Sequence, residues 1–382
     1  MNKTVAFLIS AFFSLVLMSA SMDYLHGQAA ESPMRIIPKT PEAATFEKFL
    51  NFPNISSTGI PEINIPLYTL NYKGFNLPIS ISYHASGVRV NDIATPVGLN
   101  WVLNTGGYIY RDIIGLADEL NSFIIDSVTP TTSCNQDLIR YNYEGLYDSA
   151  PDIFNFIIPG RSGKFLIKPG AIIKKSKPDP IKIVPTLSPL GFYVTDEFGN
   201  MYTFLAYREF SAIDVIDFSG GVQSSMDHLN GSGYVGWKLD KITLPTGDEI
   251  LFTYIPYNYV IDSYRSSDYY TYSEGRLHCE VPATTHSGGT WTYVSNQTYM
   301  ISTISTPAEI ISFEYENADQ CSIYKKRLKK ISVKCNINTD TIQNIVFNHG
   351  IYDGDPRLKL NGIKFYGNST VNPNPMCIGR LP

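Results

Sequence analysis

From Ile63 onward the chain alternates short apolar or β-branched runs with Gly, Pro, Asn and Asp, and this rhythm leaves few folds open. WKLDKITLPTGDEILFTY (237–254) places Leu239, Ile242 and Leu244 before a Pro-Thr-Gly-Asp turn and Ile250, Phe252 and Tyr254 after it. That is a hairpin with one apolar face. MISTISTPAEIISFEY (300–315) repeats the unit around Pro307, GFYVTDEFGNMYTF (191–204) around Asp196 to Asn200, and RLKKISVKCNINTDTIQNIVFNH (327–349) around Asn336 to Asp340. The units differ in length, which excludes a solenoid of fixed rise. The expected fold is all-β, a succession of antiparallel hairpins forming a curved sheet. Helical spacing is nearly confined to PEAATFEKFLNF (41–52), where Ala44, Phe46, Phe49 and Leu50 form a stripe behind Pro41 and predict one short N-terminal helix.

Composition agrees with that pattern. The 26 Tyr and 20 Phe favour strands, the 28 Gly and 24 Pro favour turns, and only 17% of residues are charged. A net charge of −5 gives no attraction for a phosphate backbone, so no nucleic-acid partner is expected. Lys3 followed by the uncharged apolar run Val5 to Ala20, with small residues at Ser19, Ser21, Ala29 and Ala30, reads as a signal peptide over residues 1–30. An uncleaved anchor is the other reading of this segment. Either way the chain is exported across the inner membrane, to the periplasm, the cell surface or the medium, and touches the membrane through this segment only. Residues 31–160 then read as an N-terminal β-rich segment. Residues 161–382 read as irregular hairpin repeats, interrupted by a Tyr-rich insertion near 255–297.

The five cysteines (Cys134, Cys279, Cys321, Cys335, Cys377) show no C-x-x-C pairing, so no zinc or other metal site is expected, and no cofactor. Cys321 and Cys335 are spaced to lie on neighbouring strands and either bridge or serve as small buried hydrophobes.

YHASGVRVNDIATPVGLNW (83–101) has the residue types of an active site. His84 near Ser86 suggests a general base, but no third triad member accompanies them. The structural reading is that Ile79, Ile81 and Tyr83 form one face of a strand, a turn follows, Val88 and Val90 resume, and Trp101 and Leu103 rebuild the run. His84 then bonds the adjoining loop and Asp92 accepts in a turn. Gly87, Gly98, Gly106 and Gly107 mark backbone reversals here, as do Gly199 and Gly247 in later hairpins. GSGYVG (231–236) spells a dinucleotide fingerprint without the required strand-to-helix setting. Glu314 and Glu316, downstream of Ser302, Thr303 and Ser305, resemble transferase elements but are too closely spaced to occupy separate strands. KKRLKK (325–330) reads as a solvated or edge strand guarded by lysines, and the acids of DGD (353–355) as turn residues. No catalytic residue is assigned.

The polar insertion YNYVIDSYRSSDYYTY (257–272) reads as a long loop. Its rings, Tyr257, Tyr259, Tyr264, Tyr269, Tyr270 and Tyr272, are the candidate ligand contacts, since aromatic faces with polar tips suit the stacking of sugars.

The run SYHASGVRVNDIATPVGLNWVLNTGGYIYR, with DIFNFIIPGRSGKFLI (152–167), DEFGNMYTF (196–204) and WKLDKITLPTGDEILFTY, resembles in order the N-terminal portion of exported bacterial RHS/YD-repeat proteins, relatives of toxin-complex shells. A YD repeat is a Tyr-Asp followed by Gly-Arg-Leu. YDGDPRL matches at Tyr352, Asp353, Arg357 and Leu358 with Pro356 in the glycine's place, and YSEGRL (272–277) matches without the Asp. The resemblance implies a partial shell of hairpins that encloses or delivers a toxin, with another RHS/YD-type shell or toxin protein as partner. It also implies a truncated copy, a stand-alone cap or half of a split gene, because such proteins continue for many more repeats. The implied function is a noncatalytic structural or interaction module; the alternative is a cell-surface glycan-binding or adhesion protein using the tyrosines.

Overall fold

The structure is a computed structural model. It describes residues 62–118 except 86, 89–91, 115–116, then 151–219, 222–225, 231–271, 284–318, 325–336, 341–367 and 376–377. The signal segment, the helix expected over 41–52, Ser86, Tyr272 and Cys321 lie outside these residues. Among the described residues there is no helix; the fold is all-β, built of antiparallel strands.

Strands β1 (Glu62–Tyr72), β2 (Phe75–His84) and β3 (Trp101–Asn104) form a three-stranded sheet. The β1–β2 turn needs only Lys73 and Gly74, both at positive φ (51° and 84°), the two-residue turn whose twist matches that of paired strands. Both faces of β2 are buried. Leu77, Ile79 and Ile81 join the main core, whereas Ser80 and Ser82 both accept from Asn104 Nδ2 (3.3 and 2.8 Å).

The second sheet is long, curved and barrel-like. One side is the meander β4 (Tyr108–Asp112), β5 (Ile153–Ile158), β6 (Arg161–Lys168) and β7 (Ile172–Lys175). A bend leads to β8 (Lys182–Leu187), β9 (Leu190–Thr195) and β10 (Met201–Phe204), and Lys175 Nζ closes it by donating to the Ile181 carbonyl (2.7 Å).

A two-stranded spine joins the parts. β10 continues into β11 (Arg208–Ser219), and β13 (Gly231–Lys238) into β14 (Lys241–Thr243). Their pairing runs from Met201↔Thr243 to Ile213↔Gly231. The bend in each half is fixed by Asp240, whose Oδ2 accepts from Leu205 N (2.7 Å) and Ala206 N (2.8 Å). Burial raises the Asp240 carboxyl above its ordinary pKa, and those amides oppose the shift. β12 (Val222–Ser225) pairs with the far end of β11.

Beyond β14, each strand pairs with the next in sequence: β15 (Glu249–Thr271), β16 (Thr284–Ser305), β17 (Glu309–Asn317), β18 (Lys326–Cys335), β19 (Thr341–Tyr352), β20 (Asp355–Gly367) and β21 (Met376–Cys377). The hairpins expected at 191–204, 237–254, 300–315 and 327–349 are all present. Two share one turn geometry. In Asp196–Asn200 and in Leu244–Asp248, the first residue's amide donates to the fifth residue's carbonyl (3.1 and 2.8 Å). The fourth residue is glycine at positive φ, Gly199 (84°) and Gly247 (86°).

The stretch 255–297, expected as a loop, is corrected over its described residues: 255–271 and 284–297 are the body of a long ribbon, β15 and β16 pairing from Leu251↔Ser305 to Thr271↔Thr284. Its Tyr, Thr and Val residues are strand formers, and a pleated ribbon does not need the apolar face that would announce it in sequence. Val88, expected to resume a strand, stands outside any strand and is 48% exposed; Val90 is outside the described residues.

An aromatic knot fills the barrel. Phe154 stacks on Phe165 (5.2 Å between centroids), and both meet Phe192 edge-on (5.4 and 5.5 Å). Trp237 meets Phe192 edge-on at 5.1 Å and donates its Nε1 hydrogen to the Leu190 carbonyl (2.8 Å). All four rings are buried.

Candidate functional site

The reactive-looking residues of the sequence are mostly absorbed by pairing. Ser302, Thr303 and Ser305 end β16 while Glu314 and Glu316 lie on β17, so the two groups do occupy separate strands despite their short spacing; both glutamates lie directly opposite the basic run on β18. Lys330 Nζ reaches Glu314 Oε1 (3.0 Å), Arg327 Nε reaches Glu316 Oε1 (2.8 Å) and Lys329 Nζ reaches Glu316 Oε2 (3.4 Å). Partial burial raises the Glu316 carboxyl, but Arg327 and Lys329 outweigh it and hold the group below its usual range. Three of the five cations in the basic run thus engage both carboxylates. β18 is also not an edge strand: it has β17 on one side and β19 on the other.

His84 ends β2, buried, with its amide donating to the Asn100 carbonyl (3.1 Å). The Asp92 carbonyl accepts from Arg357 Nη1 (3.3 Å). YDGDPRL forms the β19–β20 turn: Tyr352 faces Asp355, Gly354 takes φ 74°, Arg357 Nε pairs with Asp355 Oδ2 (2.7 Å), and Leu358 is buried with Ala94 and Leu99. Gly87, Gly98 and Gly106 have positive φ; Gly107 does not. Cys335 is a free thiol.

Of the six tyrosines, Tyr257 and Tyr259 have described side chains. They stack at 6.1 Å, and Tyr259 is buried. Tyr257 and Tyr259 also line a groove of about 620 Å³ together with Phe210, Asn296 and Lys325. Tyr264, Tyr269 and Tyr270 lie on the ribbon strand β15.

The fold assembles two buried charge clusters that sequence reasoning misses. In the first, Glu209 from β11 is fully buried. It accepts from the hydroxyls of Tyr108 (β4) and Thr298 (β16), and its Oε1 lies 3.3 Å from Lys238 Nζ (β13). The ammonium sits over the Tyr108 ring, 4.3 Å from its centroid. A charge so enclosed is tolerable only when paired and hydrogen-bonded. In the second, Arg111 Nε is 3.5 Å from Asp152 Oδ2, both side chains having no exposure. Asp152 also accepts from the amides of Ile114 (2.8 Å) and Asp118 (3.1 Å), and Arg111 lies over Phe154 and Trp237.

GSGYVG is the sequence trace of both clusters. It is strand β13 itself, not a phosphate loop. A Cβ at Gly236 would meet Tyr108 Oη at 2.5 Å and Glu209 Oε2 at 2.6 Å; one at Gly233 would meet Arg111 Nη2 at 3.0 Å. Glycine in a strand interior marks such close approach.

Next to the first cluster lies a cavity of about 210 Å³ between the two sheets. Val102, Asn104 and Ser80 of the small sheet line it, with Tyr254, Tyr299, Ile301, Tyr315 and Leu328 of the main sheet, the 157–160 turn and Lys238. Tyr254 and Tyr299 both touch Tyr207 (4.6 and 5.5 Å between centroids). Among the described residues no three His, Cys, Asp or Glu side chains gather as a metal site.

His349 fastens this region to β19. It stacks on Phe347, and its Nε2 hydrogen is donated to the Val97 carbonyl (3.0 Å). Burial lowers its pKa to about 4. The folded state thus favours neutral imidazole, so the stabilisation is complete above the unfolded value near 6.5 and is lost as pH falls from there towards 4. Urea unfolding at pH 7 and pH 5 is expected to show about 2 kcal/mol more loss in the native protein than in His349→Asn.

No protein-family model matches the sequence, and no curated protein matches it. Among solved structures, the fold is similar to "Crystal Structure of TcdB2-TccC3", with a TM-score of 0.41 and 9% identity over 91% of this chain. This chain spans 16% of that one. It is also similar to the N-terminal domain of the effector protein SpvB from Salmonella typhimurium strain LT2, with a TM-score of 0.36 and 8% identity over 80% of this chain and 99% of the other. With so few identical residues, no functional residue passes from either to this chain.

Proposed function

We infer that the chain is a noncatalytic structural or interaction module of an exported RHS/YD-type protein, one that contributes to a shell enclosing or delivering a toxin. The observation that carries this reading is the unbroken run of consecutive antiparallel pairings from β14 to β21, a strip built by adding hairpin to hairpin. Two further facts support it. The side chains that resemble an active site in sequence, Glu314 and Glu316, are engaged in cross-strand ion pairs. The YD-like segment is a hairpin whose Leu358 anchors a loop, with the Leu99 amide donating to its carbonyl (2.9 Å). The test is affinity purification of the tagged full chain from its own cells. The expected result is stoichiometric recovery of a larger protein carrying further Tyr-Asp…Gly-Arg-Leu repeats. A monodisperse monomer that retains no such protein would overturn the proposal.

A further inference from the structure

Protein interiors are packed nearly as densely as organic crystals and leave few voids larger than a water molecule. The space of about 210 Å³ beside a buried ion pair is a partly open cleft between the two sheets, well above the size of one water molecule. Its size exceeds the roughly 150 Å³ that suffices to take up benzene in an apolar interior. Its shape is held by backbone: a Cβ at Gly106 would meet Leu77 Cδ1 at 3.1 Å and Leu239 Cδ2 at 3.3 Å, so the 105–108 segment is pressed against the core at this wall.

The lining decides what chemistry it would accept. Ile301, Val102 and Leu328 give apolar contact, and Tyr254 and Tyr299 offer ring edges and faces from the Tyr207 cluster. Lys238 is the charged side chain on the wall, and Glu209 already balances it at 3.3 Å. An ion entering here would lose its hydration without gaining an uncompensated counter-charge. Polar groups at Ser80 and Asn104 leave room for one hydrogen bond to a guest.

We propose that the inter-sheet cavity is a binding site for a compact, uncharged and mostly apolar molecule, the size of a substituted benzene ring with one hydrogen-bonding group. The inference is independent of the shell reading. It is tested on the full chain with p-cresol as the probe. A saturable rise in Tm of roughly 2–4 °C is expected. p-Hydroxybenzoate, the same ring bearing a carboxylate, is expected to bind about tenfold or more weakly. Val102→Phe fills the space and is expected to abolish the p-cresol shift while circular dichroism stays native. Val97→Leu adds a single methylene at the same wall and gives a several-fold weaker affinity, which keeps the test decisive should the larger substitution fail to fold. No shift with p-cresol in the native protein, an undiminished shift in both folded variants, or equal binding of p-hydroxybenzoate would each overturn the proposal.

Discussion

Glu209→Gln is expected to destabilise the protein by about 3 kcal/mol, because it removes the anion that balances Lys238 at a site with little access to solvent. Lys238 Nζ has little access to solvent and also lies over the face of Tyr108. The amide keeps an acceptor for Thr298, so volume and one hydrogen bond survive while the charge does not. The partner substitution separates pairing from packing. Lys238→Met in the Glu209→Gln background is expected to recover much of the loss, since an uncompensated ammonium no longer exists, and the coupling read from the double-mutant cycle should exceed about 1 kcal/mol. Urea denaturation at pH 7 measures all four proteins. A loss below about 1 kcal/mol for Glu209→Gln alone would show that the ammonium finds water.

Trp237→Ala is expected to cost about 3–5 kcal/mol, the range for deleting a large buried ring. Three losses coincide at this position. Contact with Phe154 and Phe192 disappears, the Leu190 carbonyl is left without its indole donor, and Arg111 loses one of the two rings it covers. Trp237→Phe keeps the ring contacts but not the donor, and should cost about 1–2 kcal/mol. The chain has three tryptophans, so the fluorescence of the variant also reports how much of the native emission comes from the barrel interior. Equal stabilities for the alanine and phenylalanine variants would contradict the packing described here.

The hairpins are legible in the sequence because each carries its own instructions. Leu244 to Asp248 contains a proline and then a glycine where φ must be positive, and Ile242 and Ile250 fall opposite one another at the parity that buries both. The ribbon segments 255–271 and 284–297 are not legible as strand, because Ser, Thr, Asn and Tyr recur along them and this polarity imitates a loop. Charge pairing across β17 and β18 is legible only once the register is known: period two assigns faces but not which glutamate meets which lysine. The Glu209 cluster is further out of reach. Tyr108, Glu209, Lys238 and Thr298 come from four separate strands, and nothing near each residue in sequence names the others. The one local signal was Gly233 and Gly236 inside a strand, a mark of close approach that GSGYVG disguises as a nucleotide motif.

The small N-terminal sheet is finished by residues made far later. Tyr68 donates its hydroxyl to Glu309 Oε2 (2.6 Å), a partner 241 residues away, and Tyr72 to Asp248, 176 residues away. At roughly 5–20 residues per second, a ribosome needs on the order of tens of seconds to cover that separation. During that interval Leu70, Leu77 and Ile79 have only part of their core to enter, and a nascent chain with such a topology spends its early life as an aggregation hazard that a holding chaperone would have to mask.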